Sequence, residues 1–159
     1  MEIQIRRAAE NFADWPELLR LLQGAFEYME GRIDPPSSLQ RLTPASIAEK
    51  SREEALFLAS DDGELIGCVF ARPRDGALYV GKLAVRRDQQ HNGIGRRLME
   101  AVEDHARDSR VESLELETRI ELAENRETFA AMGYVKTAEH AHQGYERTTF
   151  ITMRKKLTG

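Results

Sequence analysis

Apolar and polar residues alternate at the start of the chain, where Ile3 and Ile5 flank Gln4, and this period of two predicts a first strand. Phe12, Trp15, Leu18, Leu19, Leu22 and Phe26 then recur at helical spacing. Asp14 can cap that helix, and Pro16 suits its first turn. Gly31 to Ser38 is rich in breakers and reads as a loop. A short helix follows from Pro44, with Thr43 as its cap. Ala55 to Ala59 and Leu65 to Ala71 are apolar runs joined by Asp61-Asp62-Gly63, a hairpin signal. Arg74-Asp75-Gly76 makes a second turn into a strand from Leu78 to Val85, so three neighbouring antiparallel strands are expected.

A glycine-bearing loop, Gln90-His91-Asn92-Gly93-Ile94-Gly95-Arg96, separates that strand from an amphipathic helix over Gly93 to Asp108. Ile94, Leu98, Ala101, Val102 and His105 share one face of this helix. A packed role is expected for His105. Val111 to Thr118 alternates cleanly, with Leu114 and Leu116 between Glu115 and Glu117, and predicts a strand. Leu122, Asn125, Phe129 and Met132 fall on one stripe of a helix that Gly133 can end. Tyr134 to Thr137 and Thr148 to Met153 supply two closing strands. A strand–helix–strand unit from Leu78 to Thr118 needs a right-handed crossover, so its two strands should be parallel. The fold class expected is α/β: a mixed, mostly antiparallel central sheet of about seven strands, flanked by about four helices.

The 159 residues suffice for one domain, expected over 1–159, without repeat or linker. Apolar residues make up 41% and charged residues 31%, a globular composition. The net charge of −4 argues against nucleic acid as the main partner, although Arg86, Arg87, Arg96 and Arg97 form a local basic cluster. No run is long enough to span a membrane and no signal core opens the chain, so the cytoplasm is the expected location. Cys68 is the single cysteine, which excludes an intrachain disulfide. Its neighbours Ile66-Gly67-Cys68-Val69-Phe70 predict a buried structural thiol. His140-Ala141-His142 could hold a metal on a strand, but no third ligand adjoins it, and a solvated loop pair without metal is expected.

Gly93 and Gly95 at the mouth of a helix describe a phosphate cradle, because the backbone can approach a ligand there and free N–H groups point at it. A P-loop would need a lysine and a hydroxyl after the last glycine, where Arg96-Arg97 stands. A dinucleotide fold would place three glycines after its first strand. The loop follows the fourth strand and has two. Leu83-Ala84-Val85-Arg86-Arg87-Asp88-Gln89-Gln90-His91-Asn92-Gly93-Ile94-Gly95-Arg96 instead resembles the acetyl-CoA motif of the GNAT superfamily of N-acyltransferases, Gln/Arg-x-x-Gly-x-Gly/Ala, matched by Gln90, Gly93 and Gly95. Met132-Gly133-Tyr134 is similar to the family's Leu-Gly-Phe, and the order of elements agrees.

The resemblance implies acetyl-CoA as co-substrate and no metal. The strand end Leu83-Ala84-Val85 resembles the edge whose backbone pairs with the pantetheine arm. The amides of His91, Asn92, Gly93, Ile94, Gly95 and Arg96 resemble those that hold the pyrophosphate. Asn125 is expected to contact the cofactor from its helix. The implied reaction moves an acetyl group to a primary amine of a small molecule or peptide by direct attack. A lysine-like amine, with pKa about 10.4, is neutral only about one time in a thousand at pH 7, so a base is wanted. Leu116-Glu117-Thr118-Arg119 resembles the strand end of N-terminal-alanine acetyltransferases, which makes Glu117 the first candidate base. Tyr79 is the second, as a relay or positioner, since alternation puts it on one strand face with Gly81, Leu83 and Val85.

The family's proton-donating Tyr falls on Phe129, which has no proton to give. Tyr145 or Tyr134 could supply it, or the thiolate departs unaided. Arg32 is a candidate to hold a substrate carboxylate and Asp34 an amine, the alternative being an ion pair on a surface loop. Transfer of another acyl group, or a non-catalytic acyl-CoA sensor, are the rival functions. Dimers are common in the family, which implies a homodimer here.

Overall fold

The computed structural model describes residues 2–157; Met1, Thr158 and Gly159, at the ends of the expected domain, lie outside the described residues. Seven strands form one sheet: β1 (Ile3–Arg7), β2 (Ala55–Asp61), β3 (Glu64–Arg74), β4 (Ala77–Val85), β5 (Ser113–Arg119), β6 (Val135–His140) and β7 (Phe150–Lys156). Their spatial order is β1-β2-β3-β4-β5-β7-β6. β4 and β5 run parallel and the other pairs antiparallel. The helices are α1 (Trp15–Phe26), α2 (Pro44–Ser51), α3 (Ile94–Asp108) and α4 (Ala123–Ala131). This is the mixed α/β sheet that the alternation predicts. No helix among the described residues is long and apolar enough to cross a membrane.

Two cores lie on opposite faces. α3 closes one with Ile94, Leu98, Met99, Val102 and Ala106, packed on Val69, Leu78, Val80, Leu114 and Leu116. Phe129 of α4 and Met132 just after it join that side. α1 and α2 close the other with Leu18, Leu22 and Ile47 on Leu56, Leu58, Cys68, Phe70 and Ala84. β2 is therefore covered on both faces, which explains its five successive buried residues. Met29 and Ile33, just after α1, pack on Leu122 at the start of α4.

Local signals place the elements well. Thr43 and Ser46 form a reciprocal capping box on α2. Asp14 stands at the cap of α1, yet its carboxylate makes no capping bond. Both hairpin turns take left-handed backbone, at Asp62-Gly63 and at Asp75-Gly76. Cys68 is fully buried and burial pushes its thiol up to about 12, so it is an inert part of the core. His105 packs edge-on against Phe57 at 5.6 Å, and burial lowers its pKa.

Two sequence expectations are corrected. β6 reaches His140, and the histidine pair is not solvated loop. His140 stacks on Phe150 and its Nε2 meets Thr152 Oγ1 at 2.7 Å, while His142 Nδ1 meets Thr149 Oγ1 at 2.5 Å. Among the described residues no three potential metal ligands cluster. The second correction concerns β4. The register pairs Phe70 with Gly81 and Cys68 with Ala84, so β4 carries one extra residue, and Lys82 absorbs it at φ +54°. The bulge reverses the alternation. Leu78 and Val80 face α3, Ala84 faces α1, and Leu83 and Val85 return to the α3 side. Tyr79 therefore lies on the opposite face from Leu83 and Val85.

Leu98 is completely buried between α3 and the sheet. Leu98→Ala is expected to cost about 2–5 kcal/mol of stability, depending on how far the cavity collapses, as read by urea unfolding.

Candidate active site

β4 and β5 part company early. They are in register only at Leu78–Leu114 and Tyr79–Glu115. Beyond Tyr79 the edge of β4 that faces β5 has no strand partner, and the two strands splay. A cavity of about 610 Å³ fills the gap. Tyr79 through Val85 form one wall, Leu116 through Arg119 another, and Asn125, Thr128 and Phe129 of α4 a third; Phe26, Tyr28 and Met29 lie at the end of α1.

The candidate base stands at this opening. Glu117 accepts from Tyr79 Oη on one carboxylate oxygen at 3.3 Å and from Arg74 Nη2 on the other at 3.2 Å. The same Nη2 donates to Glu115 at 2.8 Å, and the guanidinium lies 4.0 Å from the centre of the Tyr79 ring. Burial and the Glu117 charge push the Tyr79 hydroxyl up to about 12, so it stays protonated and keeps donating to the carboxylate. The register that pairs Tyr79 with Glu115 brings it to Glu117, while the bulge beyond it sends Leu83 and Val85 to the other face. Alternation on β5 puts Glu115 and Glu117 together on the face away from α3, and Arg74 is the group that makes this pairing of like charges tolerable. Arg74 was missed in the sequence, where its only signal is a position opposite Ala77 across the turn.

The glycine loop lies at the other end of the cleft. Gly93 caps α3 at φ +77°, a left-handed conformation that glycine adopts without strain, and no side chain caps the helix. His91, at φ +70°, is also left-handed. The first intrahelical bond runs from Arg97 N to Gly93 O, which leaves the N–H groups of Ile94, Gly95 and Arg96 without helical acceptors. Gln90, His91 and Gly95 line the cavity, whereas Asn92, Gly93, Ile94 and Arg96 do not. The Ile94 side chain is a core anchor, and the Gln90 side chain donates to Val85 O at 3.1 Å, tying loop to strand.

Thr118 was also missed. It is only 6% exposed, it lines the cleft, and its Oγ1 has no hydrogen-bond partner. Such an atom is costly unless a ligand satisfies it. At Gly95 a Cβ would come no closer than 3.8 Å to Val85, so the glycine leaves room toward the cleft that the protein itself does not fill.

Arg32 and Asp34 lie outside the cavity, and each already has partners within the chain. Arg32 pairs with Glu124 at 2.7 Å. Asp34 accepts from Tyr145 Oη at 2.5 Å and from Arg147 Nη2 at 3.5 Å, while Arg119 donates to Pro35 O at 2.6 Å. These contacts tie the loop after α1 to the β6–β7 connection. Tyr134 is buried in the α3-side core away from the cleft, and Tyr145 is committed to Asp34.

Arg74→Ala is expected to cost about 1–3 kcal/mol by removing the cation shared by Glu115 and Glu117, which leaves Glu115 only its weaker contact to Arg154 and Glu117 only the Tyr79 hydroxyl. Urea unfolding of the variant beside the wild type checks the cost.

The acetyltransferase (GNAT) family profile matches residues 15–134. No curated protein sequence matches the chain. Solved structures show the same fold at low identity. The ribosomal-protein-S18-alanine N-acetyltransferase of Escherichia coli is 17% identical with a TM-score of 0.73, over 99% of this chain and 96% of that one. The PaiA N-acetyltransferase of Thermoplasma acidophilum, in complex with coenzyme A, is 15% identical with a TM-score of 0.78, over 98% and 99%. A GNAT family acetyltransferase of Elizabethkingia anophelis with acetyl-CoA bound is 21% identical with a TM-score of 0.70, over 98% of each chain. With the profile spanning three quarters of its length and the splayed β4–β5 cleft at its centre, the chain belongs to the GNAT acetyltransferase family.

Proposed function

We propose that this protein transfers an acetyl group from acetyl-CoA to a primary amine of a small molecule or peptide, by direct attack within the β4–β5 cleft. The observation that carries the reading is the conjunction in one cavity of unpaired β4 backbone, the orphaned Thr118 hydroxyl and the Tyr79–Glu117–Arg74 cluster. The residues present fit the cofactor. An extended, amide-bearing arm suits the free edge at Leu83, Ala84 and Val85, and it offers the partner that Thr118 lacks. A pyrophosphate suits the uncapped first turn of α3, where each charge gains about 0.3–1 kcal/mol from the helix dipole. Asn125 opens on the same space from α4.

Bound there, the thioester supplies an activated acyl carbon. Everything else falls to the protein. Glu117 takes the proton that an ammonium acceptor must lose, on lone pairs not used by Tyr79 and Arg74. Tyr79 cannot act as the base itself, since its proton is held up to about pH 12. It fixes the carboxylate's orientation instead. The acceptor approaches over the sheet face that carries Glu117, opposite α3. Arg32 and Asp34 shape that approach by anchoring the loop after α1 rather than by offering free charges. The similarity to an N-acetyltransferase named for an alanine acceptor supports an amine as the acceptor class. We place the reaction in the cytoplasm, on a single domain that pairs as a homodimer.

Two measurements test the reading. A panel of amines, amino acids and N-terminal peptides, followed by a thiol reagent, should release CoA with at least one acceptor; binding without release across the panel would leave a sensor. With that acceptor, Glu117→Gln should lower kcat by about 10²–10⁴-fold with little change in KM for acetyl-CoA. Gly95→Ala probes the donor site separately. Its melting temperature should hold or rise, because alanine favours the helix and meets only ordinary contact, while CoA affinity by calorimetry should fall by about tenfold or more.

A further inference from the structure

A thioester releases sulfur with an electron pair, and that sulfur needs a proton or a donor to stabilise it. Four hydroxyls line the cleft, on Tyr28, Tyr79, Thr118 and Thr128. Tyr79 spends its proton on Glu117. Thr128 donates to the Glu124 carbonyl at 2.9 Å, and so faces its own helix. The Thr118 hydroxyl belongs to the same strand end as the base and is far too weak an acid to protonate a thiolate. Tyr28 differs from all three. Its hydroxyl donates to Asn125 Oδ1 at 3.3 Å, a neutral amide acceptor that holds a proton less firmly than the Glu117 carboxylate does, and Asn125 Nδ2 lies 3.1 Å from the same phenolic oxygen. Arg32 lies 5.8 Å from the centre of the Tyr28 ring and is itself held by Glu124, so the ring is fixed from its face as well as its tip.

Position matters as much as chemistry. Asn125 and Phe129 are neighbours one turn apart on the cleft side of α4. The Phe129 ring is apolar and packs edge-on against Tyr134. Tyr28 thus brings a phenol from the α1 side to the stretch of α4 wall where the helix itself has none, in the cavity that Glu117 also lines.

We propose that Tyr28, held by Asn125, is the catalytic acid that protonates the departing sulfur of CoA. This rests on the acetyl-transfer reading above. The nitrogen lone pair forms the N–C bond; the C–S bond breaks and its electron pair goes to sulfur. The Tyr28 O–H passes its proton to that sulfur, giving the CoA thiol. Glu117 has by then released the ammonium's first proton to solvent; the nitrogen sheds its second proton to Glu117 after attack, and this proton returns through water to the Tyr28 oxygen. Thioester and amine become amide and thiol, with no further reactant. Base and acid thus come from different elements of the cleft, the base from β5 and the acid from the turn after α1.

The test separates Tyr28 from the reading beneath it. CoA itself is titrated into the protein, and ionisation of its bound thiol is followed by thiolate ultraviolet absorbance against pH. A donor on sulfur favours the thiolate, so Tyr28→Phe should raise the midpoint by about one pH unit. With an active acceptor, the same variant should lose about 100-fold in kcat with KM for acetyl-CoA within twofold. Tyr28→Phe with Phe129→Tyr restores a phenol on α4 and should recover much of the lost kcat and lower the midpoint again, which a merely structural Tyr28 would not allow. An unchanged midpoint in Tyr28→Phe, with CoA bound as tightly as before, overturns the assignment of Tyr28 alone. Failure of the wild-type protein to bind CoA overturns the acetyl-transfer reading and this one with it.

Discussion

The site depends on one incomplete pairing. A parallel pair of strands gains by hydrogen bonding along its whole length, yet β4 and β5 stop after Leu78 and Tyr79. Two features force the divergence. β5 is drawn toward β7, with which it pairs along all seven residues, and β4 is bent by the extra residue at Lys82. A bulge adds twist and turns the strand away from its former partner. The cost is a row of backbone groups without a strand partner, which in a sheet interior would be severe. Here these groups open on a cavity instead. The uncapped start of α3 and the orphaned Thr118 hydroxyl repeat the pattern. In each case a polar group that the fold could have satisfied is left for something the fold does not contain.

The register of β4 also organises the charges. Tyr79 pairs with Glu115 ahead of the bulge and so points to the side on which β5 carries Glu115 and Glu117. Glu115 and Glu117 both touch Arg74 Nη2, at 2.8 and 3.2 Å, so their facing oxygens lie within about 6 Å, where two charges at an effective dielectric near 20 repel by about 3 kcal/mol. Arg74 offsets this by bridging both, and its stacking on Tyr79 sets the ring that donates to Glu117. Arg154 adds a weaker contact to Glu115 at 3.5 Å. Glu115 is thus doubly matched while Glu117 keeps unused lone pairs and a side chain 30% exposed to the cleft. Glu115 is thereby matched by two cations, whereas Glu117 has one cation and a phenol.

What the sequence revealed follows from the range of the forces involved. The turns at Asp62-Gly63 and Asp75-Gly76, the capping box at Thr43 and the left-handed Gly93 are set by a few neighbouring residues, and each is legible. The stripes of α1 and α3 and the alternation of β5 are legible too, since burial imposes a period. The bulge is not, because a lysine rather than a glycine occupies its left-handed position; alternation read straight through Lys82 sends Tyr79 to the wrong face. The partners of Arg32 and Asp34 lie more than 90 and 110 positions away, and no local pattern announces them. The histidines at 140 and 142 look polar in sequence, but their threonine partners come from the end of the β6–β7 connection and from β7.

The placement of Tyr28 has a consequence for how donor and acceptor meet. The turn that carries it continues into Met29 and Ile33, which pack on Leu122, and then into Arg32 and Asp34, which bind Glu124 and the β6–β7 connection. A phenol on α4 would be held by helix geometry alone. A phenol on this turn is held by a loop whose position also defines the space open to an acceptor. Any acceptor that shifts the loop moves the acid relative to the sulfur, and any acceptor that seats it well brings the acid home. With Tyr28 as the proposed acid, acceptor fit and departure of the thiol would be coupled through one short segment, and selectivity for the acceptor would be expressed in turnover as well as in binding.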